Sequence, residues 1–292
     1  MRRCEACGNG FTTPDLPSAA YELLPDVSHQ ELTASESGLL QWFISRRVLK
    51  IFSVSGRPTG TLLDIGGGAC AFANGAARHG FAVTVIEPNE KNKSFADTSR
   101  GVRFIPEMFS SDLIHRGILA EHSFDLVTMW HSLEHTAEPR EILKTVHALL
   151  KPGGILVISV PNLNGLMARV GGTYWAYLDV PHHLCHFTPT GLRQLVKQSG
   201  FRVQRQFGFS VEYDPFGWYQ TLLNVLSRSQ NFFYNRRKKR RRDEFYLRYP
   251  RWTKVVTALG PLLLPLVAVM TGLGFLLRAP GCVEIAARKE SS

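Results

Sequence analysis

The 292-residue sequence predicts an α/β fold: a doubly wound, mostly parallel sheet with a helical, hydrophobic insertion ahead of its last strand. Three observations predict it. Apolar strand-like runs alternate with amphipathic helical runs as far as residue 209. A glycine-rich turn follows the first of those runs. A final strand-like stretch, CVEIAARK, returns after residues 210–281, which differ in character. Alternation of strand and helix makes neighbouring strands parallel and covers both faces of the sheet with helices.

The elements follow in order. Residues 1–30 show little periodicity and contain Pro14, Pro17 and Pro25, which predicts an irregular arm. SHQELTASESGLLQWFISRRVLKIFSV carries Leu39, Leu40, Phe43, Ile44 and Val48 at helical spacing, so one apolar face is expected there. TLLDIGGGACAFANGAARHG reads as a buried strand, a glycine turn and a helix that stops at Gly80. FAVTVIEPN is a second strand, VRFI a third, FDLVTMW a fourth, REILKTVHALLK a helix and GGILVISVPN a fifth strand. After Pro161 an irregular segment contains HHLCH, His182 to His186. A helix follows in TPTGLRQLVKQSG, with Thr188 or Thr190 as N-cap and Gly200 as stop, and then a strand in FRVQRQFGFS. The expected organisation is an arm over 1–30, a main domain over 31–209, an insertion over 210–281, and the last strand and tail over 282–292.

Composition narrows the class. At 44% hydrophobic and 20% charged, the chain is an ordinary globular protein able to bury a sizeable core. Its five cysteines are scattered, and MRRCEACGNG lacks the apolar core of a secretory signal, so a reducing, cytoplasmic setting without structural disulfides is expected. The net charge is +10, and the run RRKKRRR, Arg236 to Arg242, supplies seven of those charges; the rest of the chain carries only +3. The partner that meets this charge is therefore met locally.

LLDIGGGACAF places Asp64, Gly66, Gly67 and Gly68 at the carboxyl tip of the first strand. A tight turn there brings backbone N–H groups to a ligand at the start of the next helix. Glu87, followed by Pro88, ends the second strand 23 residues after Asp64, where an acid accepts both hydroxyls of a ribose. Gly66-x-Gly68-x-x-Ala71 also fits the dinucleotide fingerprint, and a tight turn with no ligand is the bland alternative. Asp64 separates the nucleoside readings: a carboxylate there repels a pyrophosphate but suits a ligand with an amino group and a positive sulfonium.

LLDIGGGACAF, VTVIEPN, FDLVTMWHSLEHTAEPREIL and LKPGGILVISVPN, in this order and spacing, resemble the class I S-adenosylmethionine-dependent methyltransferases, and most of all the ubiquinone-type O-methyltransferase branch. The resemblance covers residues 60–209 and the last strand. It implies a seven-stranded Rossmann-like sheet whose final strand is antiparallel. It also implies that Asp64, Gly66, Gly67 and Gly68 contact the methionine part of S-adenosylmethionine and that Glu87 and Pro88 lie at the ribose. Glu107, Met108 and Phe109 are expected beside the adenine, and His131 on the floor of the site. The family usually has glycine where Cys70 stands, and IPEMFSSDL lacks the usual Gly-Asp.

HHLCH has the look of a metal cluster, but neighbours this close cannot all turn to one ion, so no metal is expected there. DVPHHLCHFTP resembles a segment that follows the fifth strand in the same branch, with His183 and His186 on the matched positions. These two are the candidate bases for removing a proton from the methyl acceptor, since an imidazole titrates near working pH. The bland alternative is that they satisfy buried backbone groups. Tyr174, Trp175 and Tyr177 are candidate pocket walls or plain packing. Cys4 and Cys7 have the spacing of one zinc knuckle without a second pair, and are read as a remnant.

Val255 to Leu277 is a run of 23 residues without a charge, long enough to span a bilayer. A single crossing would separate CVEIAARK from the sheet it must join, and Pro261, Pro265, Gly272 and Gly274 suit a broken, shallow element. With Arg236–Arg242 beside it, the segment reads as a monotopic anchor on an anionic membrane surface, with Phe216, Trp218, Phe232, Phe233 and Tyr234 at the interface. An apolar helical pair packed on the protein's own core is the alternative. Nucleic acid is disfavoured, because no recognised binding fold surrounds the basic run. The expected function is methyl transfer from S-adenosylmethionine to oxygen of a small or lipid-linked acceptor, in the cytoplasm or peripheral on the inner face of the membrane. The alternatives are an NAD-dependent oxidoreductase and a non-catalytic S-adenosylmethionine-binding protein.

Overall fold

A computed structural model of the chain describes residues 1–12, 38–208, 210–233 and 249–290. The strands are β1 (Arg2–Arg3), β2 (Gly10–Phe11), β3 (Gly60–Ile65), β4 (Phe81–Ile86), β5 (Arg103–Ile105), β6 (Phe124–Trp130), β7 (Leu150–Pro161), β8 (Cys185–His186), β9 (Phe201–Phe207) and β10 (Cys282–Lys289). The α-helices are α1 (Gly38–Ser55), α2 (Ala71–Arg78), α3 (Asp112–His115), α4 (Pro139–Leu149), α5 (Leu166–Gly171), α6 (Pro189–Gln198), α7 (Tyr213–Ser227), α8 (Pro250–Leu259) and α9 (Leu264–Leu276).

The chain divides into two compact units, each discontinuous in sequence. One comprises residues 14–160, 191–206 and 284–292; the other comprises 1–13, 161–190 and 207–283. Residues 161–190, expected inside the main domain, thus group with the insertion.

The first unit is organised by a seven-stranded sheet in the order β5-β4-β3-β6-β7-β10-β9, mixed, with antiparallel strands near its end. The pairs β3–β4, β3–β6, β4–β5 and β6–β7 are parallel. Every residue of β6 is buried, which is why FDLVTMW reads as an unbroken apolar run rather than an alternating one. Helix α1 packs on α2 through Ile44, whose Cγ2 would collide with a Cβ at Gly75, so only glycine allows that approach. The buried stripe of α1 is Ile44, Val48 and Ile51, each side chain contributing about 1.5–3 kcal/mol by leaving water. Leu39, expected on that face, is 64% exposed; the buried residues of α1 lie in the turns beyond it. At the other end of the chain, Lys289 donates to the carbonyls of His147 and Leu150, tying β10 to the end of α4.

In the second unit residues 1–12 of the expected irregular arm carry two short strands, and residues 13–30 of that arm lie outside the described residues. β1 and β2 pair antiparallel, and β2 pairs with β8, so Gly10 lies opposite His186. Hydrogen bonds from Cys4 N to Asn9 O and from Gly8 N to Cys4 O, both 2.8 Å, close the Cys4–Cys7 turn. Backbone pairing across the chain, invisible to local periodicity, decides this. Thr188 stands just before α6, and its hydroxyl donates to Cys7 O at 3.1 Å. Helix α7 runs beside α8 and α9, with Trp218 packed in one cluster with Val267, and Leu223 in another with Val256.

Candidate active site

The glycine turn lies within the first unit. Asp64, on β3, is 2% exposed, and its Oδ1 accepts from Thr128 Oγ1 of β6 at 2.7 Å. Burial pushes its carboxyl up to about 6; the Thr128 hydrogen bond and the charge of Arg47 pull it down, and the charge of Glu87 adds to the rise.

Gly66 has φ +74, and a Cβ there would lie 2.6 Å from Ser132 Cβ. A Cβ at Gly67 would lie 2.5 Å from Val85 Cγ1. Gly68 has φ +51 and nothing within 4 Å of a Cβ position, so the turn is open on that side. The amides of the turn are placed otherwise than the sequence suggests. Gly66 N–H donates to Ile86 O at 2.8 Å, and Gly68 N–H donates to Glu87 Oε2 at 3.0 Å. The second oxygen of Glu87 accepts from Asn89 N at 3.1 Å. The anion-binding capacity of this helix start is thus met by the protein's own carboxylate, which opposes a pyrophosphate there.

Cys70 sits at φ 57, in the left-handed region, where glycine is otherwise favoured. Its side chain is fully buried, with Sγ toward the carbonyls of Gly68 and Asn92 at 3.7 and 4.0 Å. Burial, then the charges of Asp64 and Glu87, push its thiol up to about 12.

His131, also at positive φ (52°), follows β6, and its Nδ1 lies 3.2 Å from Glu134 Oε1. Glu107 holds Arg116 with both oxygens, at 2.5 and 2.9 Å, so its carboxylate is engaged by a neighbouring cation. Met108 is 69% exposed, and Pro88 is exposed. Sequence reasoning missed Arg47. Its guanidinium carbon lies 5.0 Å from the centroid of the Trp130 ring, at the end of β6, and its charge reaches Asp64. The only local signal was a cation three residues before Lys50, whose Nζ is 5.9 Å from the same ring.

Residues 39–206 match the family model described as a methyltransferase domain. The chain belongs to this family. The methyltransferase domain resembles the ubiquinone biosynthesis O-methyltransferase of Caulobacter vibrioides, 35% identical over 163 residues, which are 53% of this chain and 64% of the relative. The same-named protein of Caulobacter sp. strain K31 is 32% identical over 53% of this chain and 63% of its own length. This chain thus covers under two thirds of both relatives. Among solved structures, a putative sarcosine dimethylglycine methyltransferase from Galdieria sulphuraria superposes with a TM-score of 0.52 at 15% identity, covering 87% of this chain and 85% of that one. An S-adenosylmethionine-dependent methyltransferase from Archaeoglobus fulgidus gives 0.52 at 18%, covering 85% and 94%. At these identities the superpositions show the fold alone.

The family's methyl donor is S-adenosylmethionine, and the residues present fit it. The turn is open beside Gly68, Glu87 stands at the end of β4, and Asp64 and Glu87 supply negative charge where a sulfonium and an amino group bring positive charge. Among the buried side-chain polar groups without a hydrogen-bond partner in the described residues are the Asn92 amide, Ser132 Oγ beside Gly66, and Trp130 Nε1 and Ser159 Oγ on paired strand residues. A polar ligand is one partner that would satisfy such buried groups.

HHLCH belongs to the second unit. His183 is buried, and its Nδ1 lies 2.8 Å from Tyr177 O. A carbonyl only accepts, so Nδ1 is the donor in this hydrogen bond. His186 is also buried, and its Nε2 lies 2.9 Å from Thr12 Oγ1, whose own proton goes to His183 O. His186 Nε2 therefore donates to Thr12. His182 Nδ1 lies 3.6 Å from Asp179 Oδ1. Burial would raise the Asp179 carboxyl, but His182, His183 and Asn231 outweigh it and hold it well below the usual range. Trp175 is packed with Leu163, Met167, Trp218 and Val267, and Tyr177 donates its hydroxyl to Tyr213 O, so both serve packing. Trp218 and Phe232, expected at a membrane interface, are 1% and 2% exposed inside their clusters. Tyr234 and Arg236–Arg242 lie outside the described residues.

Proposed function

We propose that the protein transfers the methyl group of S-adenosylmethionine to a hydroxyl oxygen of a small or lipid-linked acceptor, in the cytoplasm or at the inner face of the membrane. The carboxylate pair on the glycine turn carries this reading, together with the relatives named as ubiquinone biosynthesis O-methyltransferases. The donor supplies an activated methyl on a positive sulfur.

The chain's residues would bind, align and screen. Asp64 and Glu87 would complement the charge and the sugar of the donor, and Arg47 would meet its carboxylate. Met108 would supply an apolar surface beside the adenine, since Glu107 already serves Arg116. His131, held by Glu134, would shape the floor. Aligning the acceptor oxygen with the methyl and excluding water does most of the catalytic work. An alcohol or phenol must also lose a proton, and His183 and His186 are the candidate bases; His183 is the better of the two, because His186 Nε2 already donates to Thr12.

Two other readings lose support. Glu87 on Gly68 N–H and the buried Asp64 oppose a dinucleotide, and Cys70 turned into the packing removes the reason to suspect a non-catalytic binder. The test is to incubate the full chain with labelled methyl donor and separate aqueous and lipid extracts, then identify the product. A labelled methyl ether supports the reading; label on nitrogen or carbon, or donor binding without transfer, refutes it. Calorimetric binding of NAD in place of the donor would do so as well.

A further inference from the structure

Pro250–Leu276 is apolar on nearly all sides. The mean hydropathy of its most apolar window is 2.0, and only 17% of that window is buried. What is covered forms a stripe: Thr253, Val256, Gly260, Val267 and Gly274, at helical spacing. Along it Val256 shares a cluster with Leu223, Gly260 leaves room for the Tyr219 hydroxyl, and Val267 shares a cluster with Trp218. The segment thus runs antiparallel to α7, along its length. The outer faces leave Leu262 at 74% exposure, Val269 at 57% and Leu276 at 73%. A helix apolar all round is stable only where something apolar covers it.

Charge identifies what covers it. No acidic residue occurs between Pro250 and Gly281; the charged groups there are Arg251, Lys254 and Arg278, and ahead of them in the chain come Arg236–Arg242, then Asp243, Glu244 and Arg248. Cations at both ends of an apolar surface match a layer whose interior is hydrocarbon and whose rim is anionic. The segment is long enough to cross, but its partner helix is not suited to cross with it. α7 buries Asp214, Gln220, Thr221, Asn224 and Ser227, polar groups that a bilayer core penalises. Crossing by the two helices together would carry the seven-cation run between them through hydrocarbon, and crossing by Pro250–Leu276 alone would part β10 from its sheet.

We infer that α8 and α9 dock the protein, by their outer apolar face, on one leaflet of an anionic phospholipid bilayer, lying along it without crossing. The purpose of this docking, delivery of a lipid-linked acceptor, rests on the function proposed above; the docking itself does not need an acceptor.

The experiment is sedimentation of the full chain with preformed sealed vesicles of phosphatidylcholine alone or of phosphatidylcholine and phosphatidylglycerol at three to one. Binding to the anionic vesicles that weakens with salt is expected, falling about fivefold for each cation removed by Arg251→Gln or Lys254→Gln. The exposed triple variant Leu262→Glu, Val269→Glu, Leu276→Glu is expected to stay in the supernatant while binding S-adenosylmethionine as before. Loss of that binding in the unsubstituted chain would instead count against the methyltransferase reading. Equal sedimentation with both vesicle types, an unaffected triple variant, or a dimer in solution that ignores vesicles overturns the docking. Trypsin added outside the vesicles is expected to cut at Arg236–Arg242; protection until detergent is added would mean crossing, and overturns the one-leaflet geometry.

Discussion

Replacing Asp64 by asparagine should stabilise the protein without ligand and abolish its affinity for the donor. Burial raises the carboxyl from 3.8 to about 6. At neutral pH this corresponds to about 3 kcal/mol against the folded state, an upper figure since the amide brings an N–H₂ that also needs partners. The sign follows from proton binding. The folded carboxyl keeps its proton to higher pH than the unfolded one, so the cost is absent below pH 3.8, grows through the interval, and is complete above about 6. The Asp64→Asn variant escapes it while its amide oxygen still accepts from Thr128. The melting temperature at pH 7.5 should rise by about 2–4 °C per kcal/mol relieved, and the advantage should shrink as pH falls toward 4. The donor's positive charge offsets the same cost in the native protein, so saturation at a hundredfold excess over Kd should stabilise the native chain by about 2.7 kcal/mol and the variant hardly at all. Scanning fluorimetry across pH, with and without S-adenosylmethionine, reads all of this. A variant destabilised equally at pH 5 and 7.5, or one that binds the donor like the native chain, would refute the reasoning.

Further outcomes are expected elsewhere in the molecule. Gly66→Ala should lose about 2–4 kcal/mol in urea unfolding, because its φ is +74 and the new methyl meets Ser132 at 2.6 Å. Glu87→Ala removes the acceptor for Gly68 and Asn89 N–H and should weaken donor binding by about 10–100-fold in calorimetry, at about 1.5–3 kcal/mol for hydrogen bonds to a charged group. His183→Gln should slow methyl transfer by about 10²–10⁴-fold with donor affinity unchanged and flatten the acidic limb of the pH–rate profile; His186→Gln should mainly lower the melting temperature. In native protein at pH 8, alkylation followed by mass spectrometry should label Cys4 and Cys7 before the buried Cys70, Cys185 and Cys282, with Cys70 held back further by a thiol pushed up to about 12.

The sequence by itself determined the order of the elements, the position of the glycine turn and the family. Those features are local: a buried parallel strand is a run such as FDLVTMW, and a turn at positive φ needs glycine at Gly66 whatever surrounds it. It also placed Asp64 and Glu87 at adjacent strand tips, since each ends, or directly follows, a readable strand. Tertiary structure alone decided what those side chains do. Glu87 closes on Gly68 N–H, Arg47 reaches the site from a helix seventeen residues upstream of Asp64, and Cys70 turns inward; each outcome depends on neighbours that no spacing along the chain specifies. The same holds for the arm, where β2 finds its partner in β8 across more than 170 residues, and for Trp218, which periodicity cannot assign to a core or a membrane until α9 is seen beside it. Pattern fixes which face of an element is apolar, but only packing tells what that face meets.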